Sequence, residues 1–306
     1  METLLNVALL VPCYNAAAYL PELFASVKAQ TTPFAEVLCY DDGSTDKTAA
    51  VAESLGARVL RGTTNRGAGY ARNRLLEVTQ CPWVHFHDAD DLLDPMFVEL
   101  MSQDALRFQT PVLCGMKVLD RSTRAFLGSV SYTELNGTRD YVAYFLNHMG
   151  FSIVGIYPLQ ALREVEGFRE NLRGNEDPDL HVRLAMAGLT LHGQPRELVT
   201  NLKHSDSFSS QHWQQCMTDK LKCFLRYAEQ LKPEHRPLLA REAQAVAWVL
   251  YSGGHQNEAR QALQLAKDLG LKNVESHRWI TRTLSRWTGP EPIFQARLFL
   301  NKLRSL

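Results

Sequence analysis

The sequence has no surplus of either charge, 33 lysines and arginines standing against 33 aspartates and glutamates. A chain that grips nucleic acid by its phosphates carries a basic excess, so nucleic acid is not an expected partner. There is also no C-x-x-C pair. Cys13, Cys39, Cys81, Cys114, Cys216 and Cys223 are scattered, mostly inside apolar runs. That distribution argues against a zinc site or a disulfide frame and for buried thiols in a reducing compartment. No stretch approaches the roughly twenty apolar residues of a membrane-crossing helix. METLLNVALLVPCYN lacks the basic start of a secretion signal and reads as a first strand. The expected location is cytoplasmic, free or peripheral on the inner face of the membrane. Low-complexity tracts and repeat arrays are missing too, and 306 residues are ample for one large α/β domain with a smaller appendage.

What is present is alternation. VALLV, a helix over about residues 19–30, EVLCY, a helix after Asp46, RVL, a helix over about residues 67–78, and WVHFH follow one another. Such alternation predicts parallel βαβ units in an open, doubly wound sheet. Ligands of such sheets sit beyond the carboxyl ends of the strands. PCYN follows the first strand, DDGSTD the second, TTNRGAGYARN the third and DADD the fourth, so four polar motifs are expected on one rim. Further strands are expected at PVLCGMKVL, AFLGSVSY and IVGIY, with a helix around residues 141–147. From about His212 the pattern turns to long amphipathic helices, which places a boundary near 214 between an α/β domain (1–214) and a helical region (215–306).

Each rim motif carries its own chemistry. In PCYN, Pro12 ends the strand and Asn15 tolerates a tight turn, which leaves Tyr14 either free to lie on a flat ligand or half-buried in an ordinary loop. Asp41 or Asp42 can accept hydrogen bonds from a base or a ribose. Successive strand residues face opposite ways, so one of the two is expected to meet a ligand and the other to turn away. Ser44, Thr45 and Asp46 read as turn and helix-cap residues. Arg66, Arg72 and Arg74 cluster near a helix start, where cations suit an anionic ligand. Arg72 stands where the dinucleotide fingerprint needs a third small residue, which argues against a Rossmann dehydrogenase. In HFHDADD, Asp88, Asp90 and Asp91 crowd enough charge to call for a cation, and hard oxygen ligands suit Mg²⁺ or Mn²⁺. Glu176 and Asp177 precede an amphipathic helix and can act as a general base. Asp177 is the first candidate, Glu176 the second, and Asp179 is read as structural. His204, at the end of a late strand, is a candidate third metal ligand.

Taken in order, VPCYNAAAYL with SVKAQ, EVLCYDDGSTDKT, TNRGAGYARN, FHDADD, GF before NEDPDL, and a late histidine with serines resemble a family 2 glycosyltransferase of the GT-A fold over about residues 6–210. The resemblance implies a doubly wound, mostly parallel α/β sheet of Rossmann-like type carrying a C-terminal helical appendage. It implies inverting, metal-dependent transfer from a nucleoside-diphosphate sugar, UDP by family habit, to a sugar, lipid-linked or other hydroxyl acceptor in cell-surface polysaccharide or lipopolysaccharide assembly. Tyr14, Asp42 and Arg72 match nucleotide-holding positions, with Pro12, Asn15, Asp41 and Ala89 beside them. Asp88 matches a ribose or metal contact, Asp90 and His204 match metal positions, and Asp177 matches the base.

The Q-x-x-R-W motif of processive members is not matched at HWQQC or LSRW, which implies addition of a single sugar. The loop after Gly174 and residues 205–213 are expected to help form the acceptor site. Residues 272–306 hold seven basic side chains against two acidic ones with four large aromatics. They suit either an anionic membrane surface or packing on the domain or on a second copy in a homodimer. A nucleotidyltransferase would want a Gly-rich, basic first loop, which PCYNAAAY lacks. DADD and NEDPD argue against a non-catalytic nucleotide-sugar-binding protein.

Overall fold

The computed structural model describes residues 5–204 and 211–271. The chain divides into two compact units, Met1–Ser207 and Phe208–Leu306. In the first, strands β1 (Val7–Cys13), β2 (Glu36–Asp41), β3 (Arg58–Arg61) and β4 (Trp83–Phe86) alternate with helices α1 (Leu20–Lys28), α2 (Thr48–Leu55) and α3 (Ala68–Val78). The strands are parallel, in the order β3-β2-β1-β4. β1 is apolar at nearly every position because helices and sheet bury both of its faces. Leu20, Leu23 and Phe24 of α1, spaced i, i+3, i+4, close over Leu9, Val11 and Cys39. Gly56 ends α2 in the left-handed conformation at φ 102°, turning the chain into β3.

The register sets the rim. Cys13 lies beside Asp41, Asp41 beside Arg61, and Leu10 beside Phe86. The loops that leave these strands therefore emerge on one edge. Beyond β4 the sheet is mixed, with β8 (Gly155–Pro158) antiparallel to both β4 and β6 (Val112–Asp120). β9 (His192–Lys203) runs parallel to β6, β5 (Leu92–Leu93) pairs antiparallel with β9, and β7 (Phe126–Val130) forms a hairpin on β6. Helices α4 (Phe97–Phe108), α5 (Tyr141–Asn147), α6 (Leu159–Glu164) and α7 (Glu176–Met186) complete the unit. β5 is not legible in the sequence, because two leucines ahead of Asp94-Pro95 carry no periodicity.

The second unit is helical: α8 (Trp213–Gln230), α9 (Arg236–Ser252) and α10 (Gln256–Asp268). Alanines at 240, 243, 247, 259, 262 and 266 are buried and let α9 and α10 approach closely. The turn between them passes through Gly254 at φ 87°. Among the described residues no helix is long and apolar enough to cross a membrane. The basic, aromatic segment 272–306 and most of the expected acceptor stretch 205–213 lie outside the described residues.

Candidate active site

The first two rim loops are stitched together by short polar side chains. Asn15, at φ 49°, accepts from the Thr45 N–H (2.9 Å) and donates its own N–H to Ser44 Oγ (2.9 Å). Asp46 Oδ2 accepts from the Ala17 N–H at 3.2 Å, and Thr48 Oγ1 accepts from the Ala16 N–H at 2.7 Å. Ser44, Thr45 and Asp46 are thus structural. β1 runs past Pro12 to Cys13, so Pro12 does not end the strand as expected but pairs beside Tyr40; Ala89 is buried against the same core as Ala16, and Tyr14 keeps 49% of its surface exposed.

The adjacent carboxylates of Asp41 and Asp42 are each met by backbone donors. Asp41 Oδ1 accepts from the Ser44 N–H at 3.0 Å. Both oxygens of Asp42 accept from the Arg66 N–H (3.0 and 2.9 Å), and Oδ2 also accepts from the Gly67 N–H (2.7 Å). Both members of the pair thus have backbone partners within the chain itself. Here Asp42 anchors the start of α3, whose first N–H groups lack helical partners.

Arg72 is also placed differently from the expectation of a cation facing an anionic ligand. It is 2% exposed and binds three carboxylates: Asp88 Oδ1 at 2.8 Å, Asp177 Oδ1 at 2.9 Å and Glu176 Oε1 at 3.1 Å. One cation against three anions leaves a net negative cluster in a poorly solvated cleft. Burial, then Asp177, pushes the Glu176 carboxyl up to about 7, with Arg72 opposing. Burial within the cleft pushes Asp88 up to about 6 against the pull of Arg72, with Asp90 and Asp177 adding to the rise, although 39% of its side chain remains exposed. Glu176 and Asp177 occupy the first turn of α7, where carboxylates suit the helix dipole. The other oxygen of Asp177 accepts from the Ser152 N–H at 3.1 Å. Asp179 is buried and held by Arg169 (2.8 Å) and Arg183 (2.7 Å), the structural role expected of it. Arg66 and Arg74 flank the Tyr70 ring, their guanidinium carbons 3.7 and 4.8 Å from its centre.

The aspartates of DADD go three ways. Asp88 turns to Arg72, Asp90 Oδ2 lies 2.8 Å from His204 Nε2, and Asp91 is buried against β9. Among the described residues no group of three or more His, Cys, Asp or Glu side chains is arranged to hold a metal ion. Of the expected set Asp88, Asp90 and His204, the last two are in direct contact and Asp88 faces Arg72. That pair fits a divalent cation. A carboxylate oxygen and an imidazole nitrogen this close can both face one ion; the carboxylate suits Mn²⁺ or Mg²⁺ completed by phosphate and water, and the imidazole favours Mn²⁺ over the oxygen-seeking Mg²⁺.

Sequence reasoning missed Ser152, which fixes Asp177, and Arg121, whose guanidinium donates to the Asp90 carbonyl at 2.8 Å and stacks 4.3 Å over Tyr19. Neither residue sits in a motif, and their partners lie 25 and 31 positions away.

Residues 8–143 match the family model described as glycosyl transferase family 2, and residues 83–228 match that of glycosyl transferase family group 2. The succinoglycan biosynthesis protein ExoU of Rhizobium meliloti is 30% identical over 204 residues, covering 60% of this chain and 58% of that protein. The chain spans less than two thirds of the length of the curated relatives it first matches. S. aureus TarS 1–349 in complex with UDP-GlcNAc superposes with a TM-score of 0.59 at 17% identity, covering 86% of this chain and 92% of that one. The mannosyltransferase PcManGT of Pyrobaculum calidifontis, in complex with GDP-Man and Mn²⁺, superposes with a TM-score of 0.60 at 18% identity, covering 99% and 87%. At these identities the structures establish the fold, which is GT-A.

Proposed function

The chain belongs to glycosyl transferase family 2, and from that premise we propose that it moves one sugar from a nucleoside-diphosphate sugar, UDP-linked by default, to an acceptor hydroxyl with inversion. The observation that carries this reading is the convergence of Asp88, Glu176 and Asp177 on the single buried guanidinium of Arg72. That contact fixes the donor-side carboxylate and the two candidate bases in one frame, as an in-line displacement requires.

Tyr14 offers a free ring face to the base, while Pro12, Asn15, Asp41, Asp42 and Ala89 shape the loops around it. Asp88 meets the ribose or the cation. Asp90 and His204 would hold Mn²⁺ or Mg²⁺, which would supply positive charge to a diphosphate leaving group. Asp177 takes the proton of the attacking hydroxyl. Its two oxygens, fixed by Arg72 and the Ser152 N–H, keep the carboxylate oriented. Glu176, held near 7, is the alternative base. The relative named for succinoglycan biosynthesis supports an acceptor in polysaccharide assembly, and a lipopolysaccharide acceptor and a cytoplasmic location belong to the same proposal. The helical region, including residues 272–306, serves acceptor docking, membrane-surface contact or pairing with a second copy.

Thermal shift with UDP, GDP, dTDP and CMP, each with Mn²⁺ and with EDTA, tests the donor half. A ligand at 100 times its dissociation constant adds about 2.7 kcal/mol. One nucleotide should raise the melting temperature in Mn²⁺ and not in EDTA. No shift with any of them would overturn the reading.

A further inference from the structure

Asp90 leaves the loop after β4 and His204 is the first residue beyond β9, 114 positions later, yet their side chains meet at 2.8 Å. Something must hold the two segments in register. The neighbours of both residues do so. Asp91 is 1% exposed, and its carboxylate accepts from Asn201 Nδ2 (2.9 and 3.1 Å) and from the Leu202 N–H (2.9 Å). The strand pairs Leu92 with Thr200 and Leu93 with Val199 extend the same attachment along β9. A second bridge joins the same segments through Arg121. Its backbone N–H donates to the Lys203 carbonyl at 2.9 Å and its guanidinium to the Asp90 carbonyl at 2.8 Å.

We propose that Asp91 and Asn201 form a positioning staple that sets the separation of Asp90 and His204, and so pre-organises the divalent-cation site. The inference rests on the proposed role of Asp90 and His204 as cation ligands. A third carboxylate buried beside Asp88 and Asp90 is a costly way to stabilise a fold, since an apolar pair of like volume would pack there at no charge penalty. Its bonds run to the residues three and two positions before His204, so the cost is explained by placement of that ligand. Partners of this kind, one shell out from a metal, orient the ligands they support and are typically worth about 10- to 100-fold in metal affinity.

The test is Mn²⁺ binding to the full chain by electron paramagnetic resonance, with the ion alone and with UDP or GDP, below the melting transition of every variant. Asn201→Ala keeps every charge and keeps the Leu202 bond, so a role of Asp91 as mere negative charge would leave affinity unchanged. The staple requires Asn201→Ala to weaken Mn²⁺ binding about 10-fold or more. Asp91→Asn should weaken it too, because two amide groups then face each other, and the reciprocal variant Asp91→Asn/Asn201→Asp should restore most of the loss. Wild-type affinity in Asn201→Ala would overturn the staple while leaving the cation site standing. Failure of the reciprocal variant to recover, when folded, would overturn the pairing as the cause. No Mn²⁺ binding by the wild-type chain under any condition would overturn the cation site, and the staple's purpose with it.

Discussion

Replacing Arg72 with methionine keeps the aliphatic stem and removes the charge that three carboxylates share. Taking one partner from a buried ion pair costs about 3–5 kcal/mol, and the partial exposure of Asp88 in the cleft places this case near the lower end, at about 3 kcal/mol. In a unit of this size each kcal/mol moves the melting temperature by about 2–4 °C, so a fall of about 6–12 °C is expected at pH 8. The effect must depend on pH, with a sign that can be worked out. Glu176 and Asp88 titrate at about 7 and about 6 in the folded chain, above the 4.5 and 3.8 of the free side chains. Between those limits the folded state holds more protons than the unfolded one, so these groups add stability as pH falls. Without Arg72 both carboxyls rise further, and their protonation relieves the repulsion that the variant suffers at pH 8. The gap between wild type and Arg72→Met should therefore narrow steadily from pH 8 to pH 5. Differential scanning fluorimetry in EDTA reads it directly. An equal loss at both ends of the range, or no loss at pH 8, would refute the shared-cation account.

Asp177→Asn should leave nucleotide affinity intact and lower transfer by about 10²- to 10⁴-fold, the usual worth of a positioned base; wild-type turnover would place the base elsewhere. Glu176→Gln should flatten the rise in stability of the wild-type chain between pH 7 and pH 4.5, and an unchanged slope on titrated melting curves would show that Glu176 is not the perturbed group. Asp42→Ala strips acceptors from the Arg66 and Gly67 N–H groups, so it should cost about 1–3 kcal/mol of stability even without ligand. Loss of affinity with an unchanged melting temperature would return Asp42 to a purely ligand-facing role.

Much of this was legible in the sequence because strands and helices announce themselves locally. VALLV, EVLCY and the i, i+3, i+4 apolar residues Leu20, Leu23 and Phe24 of α1 fix the first half of the sheet, and the rule of the strand ends then brings PCYN, DDGSTD, TNRG and DADD together. What each side chain touches was not legible. Arg72 meets Asp177 across 105 positions, and Asp90 meets His204 across 114. No periodicity links residues so far apart. Asp42 shows the difficulty most clearly, since a carboxylate at a strand end looks the same in sequence whether its donors come from a ligand or from backbone 24 positions downstream. Likewise the density of DADD suggested one cation for all of its aspartates, whereas the fold distributes them to Arg72, His204 and β9.

The most direct test is release of nucleoside diphosphate from a panel of UDP-, GDP- and dTDP-sugars, with Mn²⁺ and with EDTA, for wild type and for Asp90→Ala. A glycosyltransferase site assembled as described should hydrolyse one donor class slowly in Mn²⁺, stop in EDTA, and lose that activity in Asp90→Ala while remaining folded. Equal release in EDTA or in Asp90→Ala would contradict the role of the Asp90 and His204 pair. No release from any donor, with no nucleotide bound, would contradict sugar transfer itself.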